Sequence, residues 1–125
     1  MNENKVTNEL ELMTMIVVAE QNNYWLRFTA FSALTAGMVV ATIAVANALY
    51  IGYMGLVLSV FWMSVQWASY NYVLHYDEIW EPQIEELGFR RPEEFWAKLP
   101  RTTFIGALTA TSSMVFWMAF ICKLV

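Results

Sequence analysis

From Phe28 to Tyr76 the chain carries no Lys, Arg, Asp or Glu, and this run restricts the fold more than any other feature. Surface in water needs charge on it, and a run this long far exceeds the roughly 18 apolar residues that mark one membrane-spanning helix. Composition agrees: of 125 residues, 58% are hydrophobic and 14% charged, against about 25% charged in an average soluble chain. A single helix over the run would be about 73 Å long, more than twice a hydrocarbon core of about 30 Å. The run therefore reads as two helices in a hairpin. The turn is expected within residues 46–55, where Asn47, Gly52 and Gly55 interrupt the pattern and Tyr50 and Tyr53 suit a membrane–water interface. That gives a hairpin over residues 24–74, with spans at 25–47 and 53–74.

A third span is expected over 101–125. Its interior is uncharged from Thr102 to Cys122, Pro100 precedes it, and Lys123 can snorkel to the far interface as Arg27 does at the start of the first span. The expected fold class is thus an all-α membrane protein with three transmembrane helices. Lys5, Arg27, Arg90, Arg91, Lys98 and Arg101 fall on one side of these spans and Lys123 alone on the other. By the positive-inside rule the N-terminus and the segment between spans two and three are cytoplasmic and the C-terminus is outside, as a multi-pass protein of a bacterial inner membrane.

Residues 1–23 read as a cytoplasmic N-terminal helix. Val6, Leu10, Met13 and Val17 are spaced four, three and four, an apolar stripe that Leu12 and Ile16 widen. Its acidic polar face would be repelled by anionic lipid, so the helix is expected to pack on its own subunit or a neighbour. Glu3, Glu9, Glu11 and Glu20 against Lys5, with no cleavage-site pattern following, argue against a cleavable leader. Residues 75–100 form a cytoplasmic acidic and aromatic segment. Span two should continue into it as helix, with Pro82 kinking or restarting it and Gly88 ending it. Pro92 should open a short helix to Leu99. Trp80 and Trp96, with Trp25 and Arg27, are the expected interfacial anchors.

Candidate chemistry is sparse. A net charge of −4 argues against nucleic acid as a partner. The one cysteine, Cys122, excludes an internal disulfide and reads as an inert thiol. His75, Glu78, Glu81 and Glu85 would share one helix face and have metal-ligand residue types, with His75 and Glu78 spaced like a di-iron ligand pair. Such centres repeat their ligands on other helices, and this chain has one histidine, so a wet acidic helix face is the expectation rather than a metal. No nucleophile–base set, phosphate-binding glycine loop or nucleotide fingerprint is present, so neither catalysis nor a cofactor is expected.

The stronger signal is small residues at four-residue spacing, which let helices approach closely. Ala33, Gly37 and Ala41 form such a row on span one, and Gly106 with Ala110 on span three. Whether these rows pack within one chain or between chains stays open at this level. Ser64, Gln66 and Asn71 put polar side chains on span two, as interhelical glue or as the lining of a lumen.

The segments "YWLRFTAFSALTAGMV" and "GLVLSVFWMSVQWASYNYVLHYDEIWEPQIEELG" resemble the RipA-like family of small bacterial membrane proteins. In that family an aromatic–Arg segment opens the first span, and a second span with Ser and Trp runs into an aromatic, acid-rich tail ending in Leu. The matching positions are Trp25, Arg27, Trp62, Tyr70, Trp80, Glu85, Glu86 and Leu87, within about residues 24–88. The third span and the N-terminal helix lie outside the resemblance. It implies a cytoplasmic-membrane protein that self-associates, with an octamer as one stoichiometry, and no catalytic residues. The expectation is a non-enzymatic homo-oligomer, either a scaffold or a stress- or envelope-related protein. The alternatives are an accessory subunit binding other membrane proteins, and an oligomeric channel or membrane-disrupting effector.

Overall fold

The computed structural model describes residues 3–86, 88 and 102–124. They form three helices, α1 (Glu3–Ala44), α2 (Ala48–Glu86) and α3 (Thr102–Leu124). All three are long and apolar enough to cross a membrane. At 1.5 Å per residue, α1 and α2 are about 60 Å long and α3 about 35 Å.

α2 is the central element, packed on both α1 and α3. Its buried positions are 52, 55, 59, 62, 66, 69, 73 and 77. Spacings of three and four mark one seam along the helix, the repeat that suits shallowly crossed neighbours. The more shielded positions of α1 follow the same rule, through Leu10, Met13, Val17, Glu20, Tyr24, Phe31, Thr35 and Met38. Leu10, Met13 and Val17 of the expected stripe are therefore the start of a seam that runs along α1, whereas Leu12 and Ile16, expected to widen it, are exposed.

The interior mixes polar side chains with the apolar core of Trp62, Val73 and Trp117, while large apolar side chains lie outside. Ser59, Gln66, Ser69, Asp77 and Thr103 are buried, whereas Leu26, Val40, Ile43, Val57 and Phe61 are exposed. In water that arrangement would leave large apolar side chains hydrated. In lipid the tails are as apolar as the side chains, and close packing with interhelical hydrogen bonds holds the helices together.

Three boundaries differ from the sequence expectation. The N-terminal helix and the first span are one continuous helix, passing through Asn22 and Asn23; the modest helix propensity of two Asn is outweighed by a seam that packs on both sides of them. The hairpin turn is confined to Val45–Asn47, with Asn47 at the position before α2 that Asn favours. Gly52 and Gly55 lie inside α2 rather than in the turn, so the second span opens at Ala48. Both contact α3: a Cβ at Gly52 would stand 3.1 Å from Ile121 and 3.2 Å from Phe120, and one at Gly55 would run into the Trp117 indole. These glycines let α3 approach α2.

At its other end α2 continues through Pro82 without a break. It stops before Gly88, whose φ of 89° is the left-handed conformation of a helix end. The Gly88 N–H donates to the Glu85 carbonyl at 3.0 Å. The helix expected from Pro92, with Trp96, lies outside the described residues.

α3 runs beside only part of the other two. Its first turns meet Tyr24 and Tyr70, and its last meet Gly52. The N-terminal turns of α1 and the C-terminal turns of α2 project beyond it as an antiparallel pair, joined where the Trp80 Nε1–H donates to Thr14 Oγ1 at 3.0 Å.

Candidate functional site

Polar side chains at membrane depth are costly unless they find partners, so their positions mark where the bundle can do more than pack. Several are satisfied across helices. Ser59 and Ser113 share a hydrogen bond of 2.8 Å, and the Trp67 Nε1–H donates to Thr111 Oγ1 at 3.0 Å. Thr111 in turn donates to the Ala107 carbonyl at 3.0 Å. The Trp80–Thr14 pair repeats the device, with Thr14 donating to the Leu10 carbonyl at 2.9 Å. Such bonds within membranes are worth about 0.6 kcal/mol on average. The Tyr24 hydroxyl donates to the Thr103 carbonyl and ties α1 to the start of α3.

Above Tyr24, α1 and α3 separate. Between them lies an open cleft of about 490 Å³ with a mostly apolar surface, lined by Ser32, Thr35, Ala36 and Val39 of α1, by Thr109, Ser112, Ser113 and Phe116 of α3, and by the buried Trp62 of α2. Thr109 and Ser112 donate to the carbonyls of Ile105 and Leu108, each at 2.9 Å, which leaves oxygen lone pairs for accepting. Thr35 Oγ1 and Trp62 Nε1 are buried with no hydrogen-bond partner among the described residues. One turn along α2, Gln66 is wholly buried beside the Tyr24 hydroxyl, with neither amide atom in a hydrogen bond of good geometry. Leaving a buried donor unsatisfied costs about 1–3 kcal/mol. The Trp62 ring itself is held firmly, stacked on Phe31 at 5.8 Å and tilted against Phe28 at 5.7 Å.

On the α1–α2 side is a second, almost entirely apolar groove of about 750 Å³, lined by Leu34, Met38, Tyr53, Met54, Val57 and Phe61 among others.

The small-residue rows have different fates. Gly106 and Ala110 are buried within the chain, Gly106 directly beneath the Tyr24 ring. Ala33 and Gly37 are exposed and Ala41 is half-buried; a Cβ at Gly37 would meet nothing within 4 Å. The seam of α1 runs instead through its larger neighbours Phe31, Thr35 and Met38. Ser64 is exposed and donates to its own helix at the Val60 carbonyl, 2.8 Å away. Gln66 and Asn71 share no lumen within the chain: Gln66 is buried and Asn71 exposed, about 140° apart around α2.

Trp25 is 39% exposed. Arg27 is paired with Glu20 at 3.1 Å and also donates from Nε to the Asn23 carbonyl at 3.1 Å. His75 and Glu78 both face outward. Among the described residues no three His, Cys, Asp or Glu side chains converge as metal ligands would.

Sequence reasoning missed the hydroxyl cleft. The signal was available in Ser32, Thr35, Thr109, Ser112 and Ser113 within two apolar spans, but nothing in one dimension says that those faces oppose each other. No protein-family model, curated protein or solved structure matches this chain.

Proposed function

We propose that this chain is a non-enzymatic protein of a bacterial cytoplasmic membrane that acts through homo-oligomeric assembly. In this reading the projecting ends of α1 and α2 and residues 75–100 are cytoplasmic and the C-terminus is outside, following the Lys and Arg asymmetry. The observation that carries the reading is the outer face of α1. No residue in the most apolar stretch of α1 is buried, and the Ala33–Gly37 row faces open space. A small-residue row that the chain itself leaves uncovered is suited to a helix of another copy. The sequence resemblance to RipA-like proteins points the same way.

Native mass measurement in detergent or nanodiscs tests it. The wild type is expected at a multiple of the 14.5 kDa chain mass, and Gly37→Leu at lower multiples with unchanged helix content. A wild-type monomer overturns the proposal. A fixed stoichiometry with unrelated chains assigns the face to a larger complex, with this protein as its accessory subunit.

A further inference from the structure

We propose that the outer face of the α1–α2 hairpin binds one phospholipid with a zwitterionic, primary-ammonium headgroup, a phosphatidylethanolamine, with its head at Glu20 and Arg27 and a tail in the apolar groove. The inference is independent of self-association and of which side of the membrane holds the N-terminus.

One face of the hairpin carries a polar part and an apolar part in line. Glu20, Arg27 and Leu34 follow one another at seven-residue spacing on α1, as Met54, Phe61 and Ala68 do on α2. Residues seven apart stay on one side of a pair of shallowly crossed helices. At one end of this face Glu20, Ala68, Ser69 and Tyr72 line an open pocket of about 310 Å³ with a mixed polar and apolar surface. Towards the hairpin turn, Leu34, Met38, Met54 and Phe61 line the apolar groove of about 750 Å³.

Depth matches a lipid standing in one leaflet. Glu20 and Tyr72 each lie about 36 Å along their helices from the hairpin end, beyond a hydrocarbon core of about 30 Å and therefore at headgroup level. Arg27 is about 26 Å from that end, at the edge of the core, and its guanidinium reaches outward to Glu20. Leu34 and Phe61 lie about 15 Å and 20 Å from the end, within the depth of the same leaflet. Phospholipids order their groups in this way, with the ammonium outermost, the phosphate below it and the chains below that.

The charges select the headgroup. The side chains of Glu20 and Arg27 are 22% and 36% exposed and Tyr72 is 49% exposed, so a ligand reaches all three. The ion pair runs from Arg27 Nη2 to Glu20 Oε1 at 3.1 Å, and neither Nη1 nor the second carboxylate oxygen takes part in it. A phosphate can accept from Nη1 while an ammonium donates to the free carboxylate oxygen, as charge-assisted bonds. Tyr72 is fixed by a 2.9 Å hydrogen bond to the Tyr76 hydroxyl, and a phenol oxygen so held can accept a further proton. Because the pair carries no net charge, an anionic headgroup would meet Glu20 with no cation to offset it. A trimethylammonium has no N–H to donate, so a primary ammonium is preferred.

The test uses the full chain purified in detergent, with dioleoyl phosphatidylethanolamine, phosphatidylcholine and phosphatidylglycerol offered in equal amounts. Lipid that survives washing is counted by native mass measurement. The ethanolamine lipid is expected to remain near one per chain, about tenfold over the other two. Glu20→Gln leaves Arg27 uncompensated and should move the preference to phosphatidylglycerol. Leu34→Trp fills the groove and should lower retention of the ethanolamine lipid about tenfold; helix content is followed for both variants. Equal retention of the three lipids by the wild type overturns the proposal. So does an unchanged ethanolamine preference in Glu20→Gln, or unchanged retention in Leu34→Trp.

Discussion

Gly55 and Gly37 are the same residue type in two apolar helices, yet their surroundings give them opposite tolerances. At Gly55 the Trp117 indole occupies the place a side chain would take; at Gly37 nothing lies within 4 Å. Overpacking a tight contact costs about 1–3 kcal/mol. Gly55→Val should therefore lower the thermal midpoint of the chain in detergent, whereas Gly37→Ala should leave it near the wild-type value. Equal midpoints for the two variants would mean that Trp117 does not rest on Gly55. Both glycines stand out in the sequence, but their roles do not. Gly55 reads as turn chemistry beside Asn47 and Gly52, and Gly37 as part of a packing row, until the partner of each helix face is known.

At the scale of elements, the paired ends of α1 and α2 have only each other as helix neighbours among the described residues, since α3 does not extend beside them. Val17, Val73 and Asp77 are buried there, and the indole–hydroxyl bond between Trp80 and Thr14 spans the pair. Thr14→Val with Trp80→Phe should speed amide exchange in residues 73–86 while leaving residues 52–66 as protected as before, because the latter are fixed by α3. Uniform acceleration along α2 would show that the projecting pair is not a separate unit of stability. Much of this element was legible beforehand. The Val6–Val17 spacing called for helix, and helix is what forms there; the acidic residues after Tyr76 are the ground for expecting the end of α2 outside lipid. The missing piece was continuity: Asn22, Asn23 and Pro82 look like breaks locally, and only packing against a neighbouring helix carries the chain through them.

For the whole molecule the controlling quantity is the placement of charge relative to three apolar passes. The proposed orientation is checked by labelling with a membrane-impermeant maleimide in a Cys122→Ser background. Glu9→Cys, exposed near the free end of α1, should react only after the cytoplasmic face is opened; reaction from outside would reverse the topology. That this chain has three helices long and apolar enough to cross a membrane follows from sequence alone. Exclusion of charge from hydrocarbon and the length of a helix needed to cross it are both properties of a linear string. Which small residues close the bundle and which remain on its outside, and whether five scattered hydroxyls form one cleft, were decided by the tertiary structure. Those outcomes depend on the rotation of each helix about its axis, and that rotation is set by Trp117 on Gly55 and Tyr24 on Gly106, contacts between residues far apart in the chain.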